Sequence, residues 1–303
     1  MGTDRSRVRP TDRGARLKRD VRISSPDKEL FPGITKRDLA DYYERVGRIM
    51  VRHVRDRPVA MQAYPAGIEA EGHYMKDRPK HFPDWIPDVR VAKRGGSLRH
   101  VLVRETATLV YLAGQNVITP HVWTSRAGHI REPDRIVFDL DPSTQKFGEV
   151  RAAARATGEL LRDLGLAPHA MTTGSRGIHV TVPIRPVPFE EAFAFAKAVA
   201  VRLADEHPSK LTTEFHKVKR GDRIFVDVLR NRYAQHAVPP YAVRPRPRAP
   251  VAAPLHWEEL DDRALKPDRW TIASMPKRLA DGDAWHGISG RARSVSAALR
   301  RLA

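Results

Sequence analysis

Residues 135–141 read RIVFDLD, an apolar run that ends in two carboxylates. Its alternation predicts a buried β-strand with Asp139 and Asp141 on one face and Phe138 and Leu140 on the other. Two acids at the end of an apolar strand carry a large desolvation cost unless a cation lies between them. The pair therefore favours a divalent metal site, because Mg²⁺ takes one or two protein carboxylates together with phosphate and water oxygens.

A third carboxylate, Asp227, interrupts another apolar run, IFVDV at residues 224–228. A D-x-D pair alone is a weak signal, and the chain contains a second one, Asp281 and Asp283, in a turn-like context. The recurrence of acids in strand-like settings favours a metal site over chance. Two ions about 3.5–4 Å apart could activate an attacking hydroxyl and stabilise a leaving pyrophosphate.

The stretch TTGSRGIHV, residues 172–180, predicts a strand–turn–strand unit suited to a phosphate group. Gly174 and Gly177 permit backbone angles that let amide groups converge on an anion. The side chains that could assist are those of Thr173, Ser175, Arg176 and His179. An ordinary β-hairpin with a half-buried histidine fits the same residues, so this turn gains weight only beside the acids.

Outward from these motifs, the chain divides into a basic disordered arm at 1–20, a globular domain at 21–290 and a basic tail or helix at 291–303. The order of elements predicts an α+β fold with mixed or antiparallel sheets flanked by helices. Further elements are expected as a capped helix after Thr35, strands at Val59–Tyr64, Ser97–Val103 and Arg223–Leu229, and helices at Thr106–Gln115, from Phe147, and at Phe189–Glu206. The proline-rich segment Pro239–Pro250 is expected to run extended across the surface.

Composition narrows the class of protein. The 303 residues are 41% hydrophobic and 30% charged, which is typical of a globular chain, and cysteine is absent, which excludes disulfides, thiol nucleophiles and cysteine–metal sites. No apolar run approaches the roughly 20 residues of a membrane helix, and no secretory leader is evident. The expected location is cytoplasmic, associated with the nucleoid. Lys and Arg number 54 against 36 acids, a net charge of +18 that favours a nucleic-acid partner.

Taken together, the three motifs resemble those of archaeo-eukaryotic primase-type polymerases, and more narrowly the polymerase domain of bacterial ligase D. The stretches that carry the resemblance are SSPDKELFPGITKRDLADYY (24–43), ITPHVW (118–123), RIVFDLDP (135–142), TTGSRGIH (172–179), FVDVLRN (225–231) and APLHWEELDD (253–262). The similarity implies a template-dependent polymerase that adds nucleotides to a primer 3′-hydroxyl, with a preference for ribonucleotides.

The resemblance also implies the roles of individual residues. The catalytic carboxylates, which would hold two Mn²⁺ or Mg²⁺ ions, are Asp139, Asp141 and Asp227. The incoming NTP or dNTP would be bound by His121, Thr173, Ser175, Arg176, His179, Arg220, Arg230 and Arg244. DNA would be contacted by Lys28, Lys36, His73, Tyr74 and Lys76, with Lys28 and Lys36 placed for a downstream 5′-phosphate and Tyr74 for stacking on template bases.

One departure bears on the pathway. Met61, Gln62 and Ala63 occupy a segment that is strongly basic in end-joining members of the family. Their neutrality, and the lack of an attached ligase or nuclease, favour a stand-alone primase-polymerase of the C kind that fills short 5′-phosphorylated gaps as a monomer, with a separate ligase. End-joining polymerase, metal-dependent nuclease and non-catalytic DNA-binding protein remain alternatives. The crowd of triphosphate ligands argues against a nuclease, and the presence of all three acids with His179 argues against a non-catalytic protein.

Overall fold

The computed structural model of the chain describes residues 19–302, in which fifteen strands and seven helices are formed. The strands are β1 (Glu29–Phe31), β2 (Ile34–Thr35), β3 (Val59–Ala63), β4 (His73–Met75), β5 (Asp88–Lys93), β6 (Gly96–Val101), β7 (Val117–Val122), β8 (Ser125–Arg126), β9 (His129–Pro133), β10 (Arg135–Asp141), β11 (His169–Thr172), β12 (Ile178–Pro183), β13 (Leu211–Thr212), β14 (Ile224–Asp227) and β15 (Ala253–Leu255). The helices are α1 (Lys36–Val54), α2 (Thr106–Gly114), α3 (Phe147–Asp163), α4 (Phe189–Glu206), α5 (Lys217–Arg220), α6 (Met275–Arg278) and α7 (Val295–Leu302).

The stretch RIVFDLD lies near the middle of a six-stranded sheet, whose order is β13-β14-β10-β12-β11-β15. Its pairs are antiparallel except for the parallel pair of β13 and β14. The helices α3 and α4 pack against this sheet and bury its apolar side chains, among them Phe138 and Leu140. The predicted α+β architecture is confirmed, and β10 and α4 have the predicted bounds.

A smaller sheet has the order β4-β3-β7; α2 packs against β7, and α1 packs against α2. Helix α1 begins as predicted, because the Thr35 hydroxyl accepts from the Asp38 amide while the Asp38 carboxylate accepts from the Thr35 amide. The two helices approach closely at Gly47, where a Cβ would lie 2.4 Å from a methyl carbon of Thr106. The helices of residues 19–302 are each too short or too polar to span a bilayer.

The segment 239–250 is mostly buried, so its predicted course across the surface is wrong; only residues 246–248 are exposed. The hydroxyl of Tyr42 donates to the Tyr241 carbonyl at 2.8 Å, and the hydroxyl of Tyr43 accepts from the Val243 amide at 3.2 Å. Because two buried tyrosines of α1 satisfy its backbone groups, this irregular segment can enter the core without a full strand ladder.

The ends of the chain were predicted to be a basic arm and a basic tail or helix. Residues 1–18 of the predicted basic arm lie outside the described residues. Arg19, which was assigned to that arm, is docked: its guanidinium lies 4.6 Å from the ring centre of Trp85 and pairs with Glu105 at 3.2 Å. At the other end, α7 packs against α4 through the buried side chains of Val295 and Ala298.

A charged cluster ties the end of α1 to the start of β10. Arg57 is only 1% exposed, and its guanidinium lies 2.5 Å from Asp134 and donates to the Thr124 carbonyl at 2.7 Å. Asp134 also accepts from Arg126 at 2.7 Å and lies 3.7 Å from the buried Arg135. Three arginines therefore depend on one carboxylate.

Candidate active site

Three neighbouring strands bring the predicted carboxylates to one face of the central sheet. In the antiparallel register, Asp139 of β10 lies opposite His179 of β12 on one side and opposite Asp227 of β14 on the other. Directly opposed residues of antiparallel strands project to the same face, so the three side chains form a row. Asp141, two residues further along β10, shares that face.

The turn after β14 is fixed by side-chain bonds to the backbone. A carboxylate oxygen of Asp227 accepts from the Leu229 amide at 2.8 Å. Asn231, which is fully buried, accepts from the Val137 amide at 2.8 Å and donates to the Val137 carbonyl at 2.7 Å. Asn231 therefore anchors the turn to β10 beside the carboxylate row.

The row opens into a cavity of about 280 Å³. Its lining residues are Tyr74, His121, Asp139, Asp141, Thr173, Ser175, Arg176, Gly177, His179, Asp227, Arg230, His236, Ala237, Val238 and Arg244. The structure thus assembles in one place all three predicted catalytic acids and every predicted nucleotide ligand except Arg220, which reaches the site from the edge of the lining.

Arginines surround the carboxylates. Asp141 lies 3.1 Å from the guanidinium of Arg176 and 3.2 Å from that of Arg220, while Asp139 lies 3.6 Å from Arg230. Arg244 donates to the Thr173 carbonyl at 3.3 Å, but its buried Nε has no hydrogen-bond partner among the described residues. The site therefore holds more positive charge than its own carboxylates use.

The pKa values of Asp139 and Asp227 are shifted in opposite directions. Burial alone would raise the pKa of Asp139, but His179, 3.5 Å away, and the arginines lower it to about 2. The pKa of Asp227 is raised, first by burial and then by the negative charges of Asp139 and Asp141. Asp227 therefore experiences the repulsion that a bound cation would relieve.

These residues fit a divalent cation by their chemistry, since hard carboxylate oxygens are the ligands that Mg²⁺ and Mn²⁺ prefer. In the described part of the chain, however, no three or more histidine, aspartate and glutamate side chains stand together as a preformed metal-binding group. The row therefore offers suitable oxygen ligands, and a bound cation would relieve the repulsion that Asp227 experiences. In the structure, Asp139 and Asp141 form ion pairs with the arginines.

The turn between β11 and β12 is closed on itself. The Thr173 hydroxyl accepts from the Gly177 amide at 3.2 Å and lies 3.1 Å from the Gly177 carbonyl, so it shapes the turn. Gly174 has a φ of +66°, and a Cβ on Gly177 would lie 2.4 Å from the Leu140 carbonyl oxygen. Both glycines are therefore required for the turn to rest against β10 beside the carboxylates.

A cluster of aromatic and imidazole rings closes the other end of the cavity. Tyr74 stacks on His236 with ring centres 5.5 Å apart, and His121 lies 5.2 Å from His236. Nε2 of His121 lies 3.0 Å from Oε1 of Gln62, whose amide nitrogen donates to the Tyr64 hydroxyl at 2.9 Å. Burial and the neighbouring positive charges hold the pKa of His121 well below its usual value, so this ring is neutral at pH 7.

Sequence reasoning missed His236 and the link between Gln62 and His121. His236 lies in NRYAQHAVPP, which matches no motif, and only its position between Asp227 and Arg244 could have drawn attention to it. Gln62 was noted for lacking charge, but its contact across β3 and β7 depends on sheet register. Neither feature leaves a local signal in the sequence.

The predicted DNA-contacting residues differ in their exposure to solvent. His73 and Lys76 are exposed beside Tyr74, which is 49% exposed. Lys28 is exposed, but Lys36 is only 4% exposed and its ammonium donates to the Ser24 carbonyl at 2.8 Å. Lys28 is therefore the member of that pair that is free to meet a phosphate.

Comparisons with known proteins point in one direction. A family model described as LigD, primase-polymerase domain, matches residues 35–285. The multifunctional non-homologous end joining DNA repair protein LigD of Mycobacterium tuberculosis strain H37Rv is 33% identical over 267 residues, which cover 84% of this chain and 35% of that protein. The multifunctional non-homologous end joining protein LigD of Pseudomonas aeruginosa is 32% identical over 93% of this chain and 34% of its own length. The chain thus spans about a third of these relatives.

A solved structure agrees in fold as well as in sequence. The polymerase domain from Mycobacterium tuberculosis ligase D in complex with DNA superposes with a TM-score of 0.86 at 32% identity. The match covers 91% of this chain and 100% of that one.

Proposed function

The chain belongs to the LigD primase-polymerase domain family, whose members are nucleotidyltransferases, and we propose on this basis that it adds nucleotides to a primer 3′-hydroxyl under the direction of a template strand. The observation that carries the proposal is the row of Asp227, Asp139 and His179 on three adjacent strands, with a glycine-containing turn beside it. This arrangement pairs a carboxylate centre with a place for phosphate groups.

Each part of the cavity has a task in this reaction. The triphosphate would lie along the turn, held by Ser175, Arg176 and the guanidinium groups of Arg230 and Arg244, which are charge-assisted donors. Divalent ions held by Asp139, Asp141 and Asp227, Mn²⁺ or Mg²⁺, would supply Lewis-acid stabilisation of the phosphates and of the attacking oxygen. The primer 3′-oxygen bonds to the α-phosphorus as the bond to the β-phosphate oxygen breaks, and pyrophosphate leaves.

The nucleic acid would approach from the side of Tyr74. An exposed aromatic ring with His73 and Lys76 around it is suited to stacking on a base while a cation meets the backbone. The solved ligase D polymerase domain is in complex with DNA, which supports a DNA partner for this chain too. The net charge of +18 adds attraction that does not depend on nucleotide sequence.

For the pathway, we propose short-gap filling at a downstream 5′-phosphate, with a separate ligase and a preference for ribonucleotides. The supporting feature is β3, where Met61 and Ala63 are buried and Gln62 turns to His121, so this strand offers no cationic clamp. End-joining polymerase is the second candidate, because the similar curated proteins are end-joining proteins.

Extension of a primed, 5′-phosphorylated gap tests the proposal. Each NTP and dNTP is supplied with Mn²⁺ or Mg²⁺ to the full chain and to its Asp139→Ala variant. We expect templated extension that the variant loses by about a thousandfold or more, while affinity for the DNA changes less than about twofold because the basic surface supplies it. Shortening of the primer would establish a nuclease instead.

The two pathways are separated by the DNA substrate. A gap-filling enzyme extends the gapped duplex well and joins two broken ends into one complex poorly. Bridging of two ends as efficient as gap filling, measured with ends carrying different fluorophores, would assign the chain to end joining.

A further inference from the structure

A second recess of about 430 Å³ opens on the far side of the phosphate-binding turn. Ser175 and Arg176 line both this recess and the cavity of the carboxylates. The segment after Tyr241 also borders both spaces, since Arg244 lines the first cavity and Arg246, two residues later, lines the recess. The two spaces are therefore neighbours that share a wall of phosphate-binding residues.

The recess is cationic. Arg176, Arg246 and Lys266 line it, against one carboxylate, Asp268. Lys266 and Arg246 are exposed, and neither has an ion-pair partner among residues 19–302. Because Arg176 also pairs with Asp141 at 3.1 Å, Arg246 and Lys266 supply the unpaired positive charge of this concave surface, which attracts a small anion more strongly than a flat surface does.

The charged side chains of the segment Lys266–Arg269 lie in two different environments. Arg269 pairs with Asp262 at 2.5 Å and lies 5.3 Å from the ring centre of Trp270. Lys266 and Asp268 instead face the recess. This stretch stood out in the sequence only as a poor match to the ligase Lys-x-Asp-Gly motif, and the recess gives its lysine a different setting.

We propose that this recess binds pyrophosphate, the product released at the turn, before it leaves the protein. The proposal rests on the nucleotidyl transfer proposed above, which frees pyrophosphate beside Ser175 and Arg176. Pyrophosphate that moves from the turn toward Arg246 and Lys266 remains among cations throughout. The recess is wide enough for two phosphate groups with their water, and Asp268 limits the affinity so that the product is not retained.

The test measures binding of inorganic pyrophosphate itself by calorimetry, in magnesium buffer, to the full chain and to single variants. Lys266→Gln and Arg246→Gln each remove one cation, and we expect affinity about three- to fivefold weaker, the size of one partly exposed charge contact. Asp268→Asn removes the carboxylate and is expected to strengthen binding by a similar factor. Arg263→Gln is the matched control, an exposed arginine outside the recess that should change nothing.

Inhibition of primer extension by added pyrophosphate should follow the same order, with the nucleotide KM changed by less than about twofold. Opposite signs for Lys266→Gln and Asp268→Asn cannot arise from partial unfolding. If the variants instead weaken gapped-DNA binding and leave pyrophosphate affinity unchanged, the recess holds a nucleic-acid backbone and the proposal is wrong. Equal affinity in all four variants overturns it as well. Since calorimetry requires no synthesis, these results are independent of whether the chain proves to be a polymerase.

Discussion

Gln62 of β3 holds the side chain of His121 on the neighbouring strand β7, and His121 lines the cavity of the carboxylates. Its amide contacts both the Tyr64 hydroxyl and Nε2 of His121, and the latter ring is buried and neutral. This neutral imidazole has one N–H, and because Oε1 of Gln62 can only accept, that proton lies on Nε2 and Nδ1 is left as a hydrogen-bond acceptor. Its orientation, which Gln62 holds, therefore decides what His121 contributes.

Replacing Gln62 by Met should raise the KM for nucleotide by about three- to tenfold with kcat nearly unchanged, because a buried imidazole loses its partner at a cost of about 1 kcal/mol or more. Steady-state extension of a gapped primer measures both constants. Gln115→Met is a matched control, since it removes a similar contact to His81 away from the site. A fall in kcat at constant KM would instead place His121 in the chemical step.

At the scale of single residues, the sequence motifs predicted that the acids and the turn would form a site. Carboxylates in apolar strands carry a desolvation cost, and closely spaced glycines indicate an unusual backbone. Asp139 and Asp227 interrupt apolar strands, and the resemblance assigned their partners. His236 escaped because a lone histidine in an irregular segment has many ordinary roles. The resemblance implies a phosphate contact for Lys36, and the bond of its ammonium to the Ser24 carbonyl depends on the tertiary fold and so leaves no signal in the motif.

Among the elements, the turn at 173–177 is the one held most tightly to its neighbour. A methyl group at Gly177 would meet the Leu140 carbonyl at 2.4 Å, a backbone atom that cannot rotate away. The turn would have to lift from β10, and its amides would then lose their alignment with the carboxylate row.

Gly177→Ala should therefore lower the free energy of unfolding by about 1–3 kcal/mol, as overpacking does, and raise the nucleotide KM at least tenfold. Urea unfolding and gapped-primer extension provide the two measurements. Gly128→Ala is the control, because a Cβ there meets nothing within 4 Å. Unchanged KM in Gly177→Ala would show that the turn does not hold the nucleotide.

The spacing of apolar residues predicted the strands and helices that have strong local patterns. It did not predict the burial of segments whose contacts come from residues distant in the sequence. β10 and α4 carry regular apolar spacing and end where expected. The segment 239–250 looks like a surface loop because of its prolines and arginines, yet Tyr42 and Tyr43 accommodate its backbone in the core. Those hydroxyls lie on a helix about two hundred residues earlier, which no local pattern reveals.

For the molecule as a whole, Asp134 is the carboxylate that joins the end of α1 to the start of β10 through three arginines. Burial would raise its pKa, but Arg57, Arg135 and Arg126 lower it well below 3.8. Burial in turn lowers the pKa of Arg57 to about 10, which still leaves it charged at pH 7. Loss of the carboxylate would leave buried positive charges that face only one another.

Asp134→Asn should lower the free energy of unfolding at pH 7 by about 2–4 kcal/mol, somewhat less than for a fully buried pair because Asp134 is 24% exposed. Since its folded-state pKa lies below the unfolded value, the unfolded chain takes up the proton first, and this stability is present above about pH 4 and lost below it. Urea unfolding from pH 7 to pH 3 should show the difference between wild type and variant constant down to about pH 4 and smaller at pH 3, because the loss is complete only below the folded-state pKa. Asp84→Asn is the control, because the fully exposed Asp84 carboxylate lies 3.9 Å from Arg78 and its loss should leave the free energy of unfolding nearly unchanged.

The carboxylate row has a consequence for how the activity arises during synthesis of the chain. Asp139, His179 and Asp227 belong to strands that are far apart in sequence and meet only through long-range pairing, which is slow to form. The strand with Asp227 leaves the ribosome after the other two. A nascent or stalled chain can thus form the turn at 173–177 and still lack the third carboxylate of the row. The proposed activity is therefore withheld until β14 has paired with β10.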